Sequence, residues 1–301
     1  MNLQFNNIAN DDRYSFLPKD LRKIFRNAVE NAGRRNIVFV EGYDDEVIYT
    51  ILYEDNLKEL CFIDIGFTDV QEDTGTGNCE KVKKYLKDFV QHLPKEKRFS
   101  GVIDRDLKTD QEVEDEKNKP CYDGRLFIFF ERYTLENYFV EPDILYEFLR
   151  GQSINKKKLI PILKQDKEHF ETEVIKPILT CLTDIAAANL TIRHFDSSEK
   201  FLEDSIYCEY VENRLVHKLN KNPEKEKILS KFSEFKKELI NEPLKFASAK
   251  GYFATQFNRE LKKQTKVNIQ LNNHKSELAR ILKERGIPKD FRDLLSLILT
   301  D

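Results

Sequence analysis

The sequence predicts an α/β protein: a mostly parallel four-stranded sheet flanked by helices, followed by a mainly α-helical C-terminal region. Three observations predict it. Short apolar runs alternate with helix-length segments through the first third of the chain. The segments between those runs are long enough for helical crossovers, which parallel strands need and hairpins do not. Beyond Pro142 the strand signal fades and amphipathic spacing takes over.

The elements follow in order. NIVFV (36–40) has the β-branched and aromatic content of a buried strand, and DDEVIYTILYEDN (44–56) places apolar residues at 47, 48, 51 and 52, a helical spacing. LCFIDI (60–65) is a second strand. The loop GFTDVQEDTGTGN leads to the helix CEKVKKYLKDFVQHL (79–93), closed by Pro94. SGVID (100–104) is the third strand, LKTDQEVEDEKNKPCYDG a polar insertion, and RLFIFF (125–130) the fourth strand. Then come helical segments: PDILYEFLR, KKLIPILKQDKEHFETEVIKPILTCLTDIAAAN, EDSIYCEYVENRLVHKL, EKEKILSKFSEFKKELI and HKSELARILKERG, and the closing GIPKDFRDLLSLILTD. The expected division is an α/β domain with an N-terminal extension over 1–145 and a helical, basic domain over 146–301.

Composition limits the classes of function. The chain has 301 residues, 40% hydrophobic and 34% charged, as expected of a folded protein with an ample core. No run approaches the roughly 18 apolar residues of a spanning helix, and MNLQFNNIANDDRYSF lacks the flanks of a secretory signal. No membrane association and a cytoplasmic location are therefore expected. Five cysteines without a C-x-x-C pair argue against a disulfide framework and a zinc knuckle. A metal, if bound, would be held by oxygen.

Charge is uneven. Residues 213–301 hold 20 Lys and Arg against 11 Asp and Glu, a local +9, so the remainder carries −12 of the net −3. That pattern suits carboxylate chemistry beside a polyanion-binding surface, and equally a lysine-rich helical region solvated on its outer face.

The informative acids end strands. In NIVFVEGYDDEVIY, Glu41 directly follows the first strand; in GVIDRD, Asp104 and Asp106 end the third. Strand ends of one parallel sheet point the same way, so acids distant in sequence can converge where ligands bind. Gathered carboxylates repel unless neutralised, and a hard divalent cation is the usual remedy. Gly42 lets the backbone turn sharply and a substrate come close. Asp44 is placed to cap the following helix. TGTGN (74–78) lacks the G-K-[ST] ending of an ATP-binding loop and reads as a flexible loop at the rim of the site. Lys250, beside Gly251, is a candidate phosphate contact or a solvated helix end, and His194 has no visible partner and is taken as structural.

VEGYDDEVIY followed by GVIDRD resembles the Toprim domain of topoisomerases, primases, recombination proteins and overcoming-lysogenization-defect nucleases. The resemblance implies Mg²⁺- or Mn²⁺-dependent phosphoryl chemistry, with Glu41 as general acid/base or metal ligand, Asp104 and Asp106 as metal ligands, and Asp45 as a second acidic position of nuclease-type sites. FIFFERYTLENYFVEPDIL (127–145) and SAKGYF (248–253) resemble a compact Toprim-like family often found beside ABC-type ATPases, to which the effector nuclease of the PARIS anti-phage system belongs. That implies an RNA substrate, tRNA in particular, an ABC-type ATPase partner and a role in abortive phage defence. It adds Glu136 as a further catalytic carboxylate, the alternative being a helical pair with Arg132, and it makes Arg132, Asn137 and Lys250 substrate-binding residues. Tyr133 and Tyr138 are packing aromatics rather than nucleophiles. A DNA-cutting relative, a non-catalytic interaction subunit and a homodimeric scaffold remain alternatives.

Overall fold

A computed structural model describes residues 17–67, 77–164, 166–195, 211, 215 and 225–299. The chain forms two compact units: residues 1–104, 109–129 and 287–301 in the first, and residues 105–108 and 130–286 in the second.

The first unit is the sheet. Helix α1 (Lys19–Ala32) precedes strand β1 (Asn36–Val40); α2 (Tyr43–Leu52), β2 (Leu60–Asp64), α3 (Asn78–His92), β3 (Phe99–Ile103), α4 (Asp110–Lys117) and β4 (Leu126–Ile128) follow. The strands run in the order β2-β1-β3-β4, all parallel, as the α/β expectation requires. Register places Val40 against Asp64 and Phe39 against Gly101.

Helices cover both faces. On one, Phe25 of α1 and Phe89 of α3 pack with Phe39 and Phe99, with the Phe89 and Phe99 rings stacked at 4.5 Å. Gly101 makes this close packing possible: a Cβ there would lie 2.8 Å from a methyl of Val82. On the other face, Tyr49 of α2 and Tyr53, which caps its C-terminus, stack on Phe62 at 5.2 and 5.4 Å.

The acid-rich insertion contains α4, started by a capping box in which Thr109 and Glu112 satisfy each other's backbone N–H groups. β4 is shorter at both ends than the expected 125–130, and Arg125, just before it, turns its guanidinium to Asp123 and to the Glu96 carbonyl.

The second unit is helical: α5 (Pro142–Ser153), α6 (Ile160–Lys164), α7 (Lys167–Phe170), α8 (Lys176–Phe195), α9 (Lys225–Glu238), α10 (Ala254–Thr265) and α11 (Lys275–Arg285). The run Lys167–Phe195 is, contrary to expectation, long and apolar enough to cross a membrane, with an 18-residue window of mean hydropathy 1.3, but 61% of that window is buried inside the protein, and Ala186, Ala187 and Ala188 are fully covered. It serves as the core helix of its unit. His194 is a packing residue, edge-on to Phe195 at 4.8 Å. Cys61, Cys79 and Cys121 are reduced, whereas Cys181 is disulfide-bonded. The expected helix EDSIYCEYVENRLVHKL lies almost wholly outside the described residues.

The last helix, α12 (Lys289–Leu299), belongs with the sheet. Its Phe291 ring meets Tyr49 and Phe129, and the Phe291 carbonyl accepts the Tyr53 hydroxyl at 2.7 Å. Two contiguous domains meeting at 145/146 are thus not what the contacts form. The sheet unit ends at Phe129 and resumes at Ile287, because its second face needs this aromatic helix.

Candidate active edge of the sheet

Chain order and spatial order diverge at β1. The connection from β1 leads to β2 on one side, and the chain then returns to β3 on the other. The carboxyl ends of β1 and β3 therefore flank the topological switch point, where open α/β sheets bind ligands. Glu41 follows β1 and Asp104 follows β3.

These two residues meet. Oε1 of Glu41 accepts the backbone N–H of Asp104 at 2.8 Å, a charge-assisted bond that fixes the glutamate across the gap between the strands. Both are half-buried. The neighbouring strand repeats the device: Oε2 of Glu46 accepts the Asp64 N–H at 3.0 Å, and Oδ1 of Asp64 accepts the Gly66 N–H at 2.7 Å. Sequence reasoning did not single out Glu46 or Asp64. Asp64 carries the same signal as Asp104, an acid ending an apolar run, and could have been found by it.

Asp45 lies in the first turn of α2 with Asp44 and Glu46, where the positive end of the helix dipole favours carboxylates. Asp44 is not the cap expected of it. The helix begins one residue earlier, at Tyr43, and Gly42 occupies the cap position. Gly42 makes no sharp turn either: at φ −161° and ψ 171° it is extended, and what it provides is room, with no atom within 4 Å of where a Cβ would stand.

Asp106 belongs to the second unit and adopts φ 54°, the left-handed region that Asp tolerates better than most residues. Its N–H donates to the Tyr133 carbonyl at 3.1 Å. Arg105, between the two aspartates in sequence, is fully buried, lies over the rings of Phe130 and Phe246 at 5.6 and 4.9 Å, and donates to the Phe130 carbonyl at 2.5 Å.

The structure corrects the other expected site residues. Glu136 is 5% exposed and sits between two ammonium groups, Lys250 at 3.0 Å and Lys275 at 2.9 Å. Burial alone would raise its pKa, but the two lysines outweigh it and hold the carboxyl below its ordinary range. That is a neutralised internal ion cluster rather than a cation ligand. The alternative pairing with Arg132 fails too, since Arg132 binds Glu141 at 2.6 Å. Lys250 is engaged by Glu136.

Asn137 is wholly buried with all four hydrogen-bonding positions in use. Nδ2 donates to the carbonyls of Leu244 and Ala247 at 2.6 and 2.7 Å; Oδ1 accepts from Thr134 at 2.9 Å and from the Ala249 N–H at 2.8 Å. It is a structural latch, not a substrate contact. Several lysines of the basic half are likewise paired, Lys231 with Glu234, Lys236 with Asp184 and Lys263 with Glu260. Of the TGTGN loop, residues 74–76 lie outside the described residues, and Gly77 caps α3.

Among the described residues no group of three His, Cys, Asp or Glu side chains is arranged to enclose a metal. What the edge offers is a pair of oxygen donors, Glu41 and Asp104, on adjacent strand ends. That pair suits Mg²⁺ or Mn²⁺, since Mg²⁺ commonly takes one or two protein carboxylates and completes its shell with water and substrate phosphate. No family model and no curated protein matches the chain.

Proposed function

We propose that this chain is a cytoplasmic, Toprim-like metal-dependent nuclease that hydrolyses phosphodiester bonds of RNA, tRNA in particular. The single observation that carries the proposal is the 2.8 Å bond joining Glu41 to the amide of Asp104 at the switch point of the sheet. It brings together two acids that the sequence places 63 positions apart, at the rim where such a fold takes its ligand.

When bound, a divalent cation polarises a phosphodiester and acidifies water. The residues supply the setting. Glu41 and Asp104 would hold the cation from adjacent strands. The backbone bond orients Glu41, and Gly42 leaves room for the phosphate to approach. The choice of RNA, an ABC-type ATPase partner and a role in abortive phage defence rest on the resemblance of VEGYDDEVIY, GVIDRD and RYTLENY to that effector family.

The test offers purified protein and Mg²⁺ total tRNA and plasmid DNA side by side. Cleavage of tRNA but not plasmid is expected, lost on chelation. Glu41→Gln should lower the rate roughly 10²- to 10⁴-fold, the span of a lost catalytic acid or base. Cleavage of plasmid alone would move the substrate to DNA, and undiminished cleavage by Glu41→Gln would remove the site altogether.

A further inference from the structure

We infer that Tyr43 is a base-stacking platform that makes this edge selective for single-stranded nucleic acid. The inference rests on the nuclease reading of the same edge. Among the described residues Tyr43 is the only aromatic among the large hydrophobic side chains that stand exposed, at 68%. The nearest tyrosines along the chain face inward: Tyr49 and Tyr53 are 2% and 1% exposed and stacked on each other.

Position distinguishes Tyr43 from a stray surface residue. It is the first residue of α2, two beyond Glu41, and the intervening Gly42 is extended with open space where a side chain would be. Two extended residues span about 7 Å at most, so the Tyr43 backbone lies within one nucleotide's reach of a phosphate bound through a cation at Glu41 and Asp104.

The charges around it select the part of a nucleotide that can sit there. Asp44, Asp45 and Glu46 follow in the same turn and bring no cation that would draw a phosphate to the ring, whereas an uncharged base needs none. Every base presents a π-face, so stacking holds a strand without reading its sequence. In a duplex that face is already covered by neighbouring pairs, and only an unpaired base is available.

The chain contains no tryptophan, so Tyr43→Trp introduces a unique fluorophore. With Ca²⁺ in place of Mg²⁺, a single-stranded RNA oligonucleotide should quench its emission, while the same sequence as a duplex should not. Tyr43→Phe should bind a labelled single strand within about twofold of the unaltered protein, and Tyr43→Leu about 5- to 100-fold more weakly, the loss of one stacked base. Both variants should melt with the parent, since the side chain is exposed. Absent quenching, equal quenching by duplex or by a lysine-rich peptide, or equal affinities of the Phe and Leu variants would overturn the inference. Should Glu41→Gln abolish RNA cleavage while Tyr43→Trp stays unquenched, stacking falls and the nuclease stands. Quenching without cleavage of any nucleic acid would defeat the nuclease reading instead.

Discussion

Glu41 and Glu136 are the same residue type, and both are candidate catalytic carboxylates by sequence, yet the structure holds them with different groups. Glu136 is buried and clamped by two ammonium groups. Glu41 is half-buried at a strand end and takes a backbone N–H. A carboxylate neutralised from inside the fold contributes to stability, whereas the one held by an amide at the sheet rim is the one our proposal assigns to a ligand. The comparison teaches that counting acids near strand ends is not enough; the sign of what surrounds each one decides its task.

The contrast is broken or sharpened most strongly by parallel amide substitutions. Glu41→Gln should remove nearly all cleavage while leaving the urea midpoint close to that of the parent. Glu136→Gln should cost about 3–5 kcal/mol, because two lysines lose the charge they share. The pH dependence has a definite sign. The Glu136 pKa is lowered on folding, so its contribution is present above the ordinary carboxyl range near 4.5 and is lost as pH falls through the folded value. The stability gap between parent and Glu136→Gln should therefore narrow in acid and stay constant from pH 6 to 8. If both variants destabilise equally, the distinction between the two glutamates disappears.

Next in size is Gly101→Ala, which would push a methyl against Val82 at 2.8 Å and should cost about 1–3 kcal/mol in thermal or chemical melts. A neutral result would mean that α3 can slide on the sheet, and would loosen the argument that β3 delivers Asp104 to a fixed position. Smallest is Asp106. Asp106→Val should cost about 1–2 kcal/mol for forcing a β-branched residue into the left-handed region, while Asp106→Asn should be nearly neutral. If Asn nonetheless lowers cleavage, Asp106 acts through its charge rather than its backbone.

Much of the sheet was legible. NIVFV, LCFID and FSGVI became strands nearly to the residue, since β-branched and aromatic runs bounded by polar segments admit few other readings. The N-terminal helix was not, as it starts after Pro18 without a side-chain cap to announce it. Helix α4 hid in an acidic stretch, although Thr109 and Glu112 carry the capping-box spacing. At the site, Glu41 and Asp104 could be paired from topology alone. Lys275 could not be paired with Glu136, because their contact spans 139 positions and leaves no periodic trace. Asn137 illustrates the opposite error: a polar residue in a motif looks functional until its four partners prove to be the protein's own backbone and Thr134.

The return of Phe291 to the sheet has a consequence for synthesis. All four strands leave the ribosome before the ring that packs on Tyr49 and Phe129 has been translated, so that part of the sheet's second face lacks its cover until the Phe291 helix emerges. A chain cut short before Phe291 would therefore carry its acidic rim on a sheet that lacks this aromatic contact.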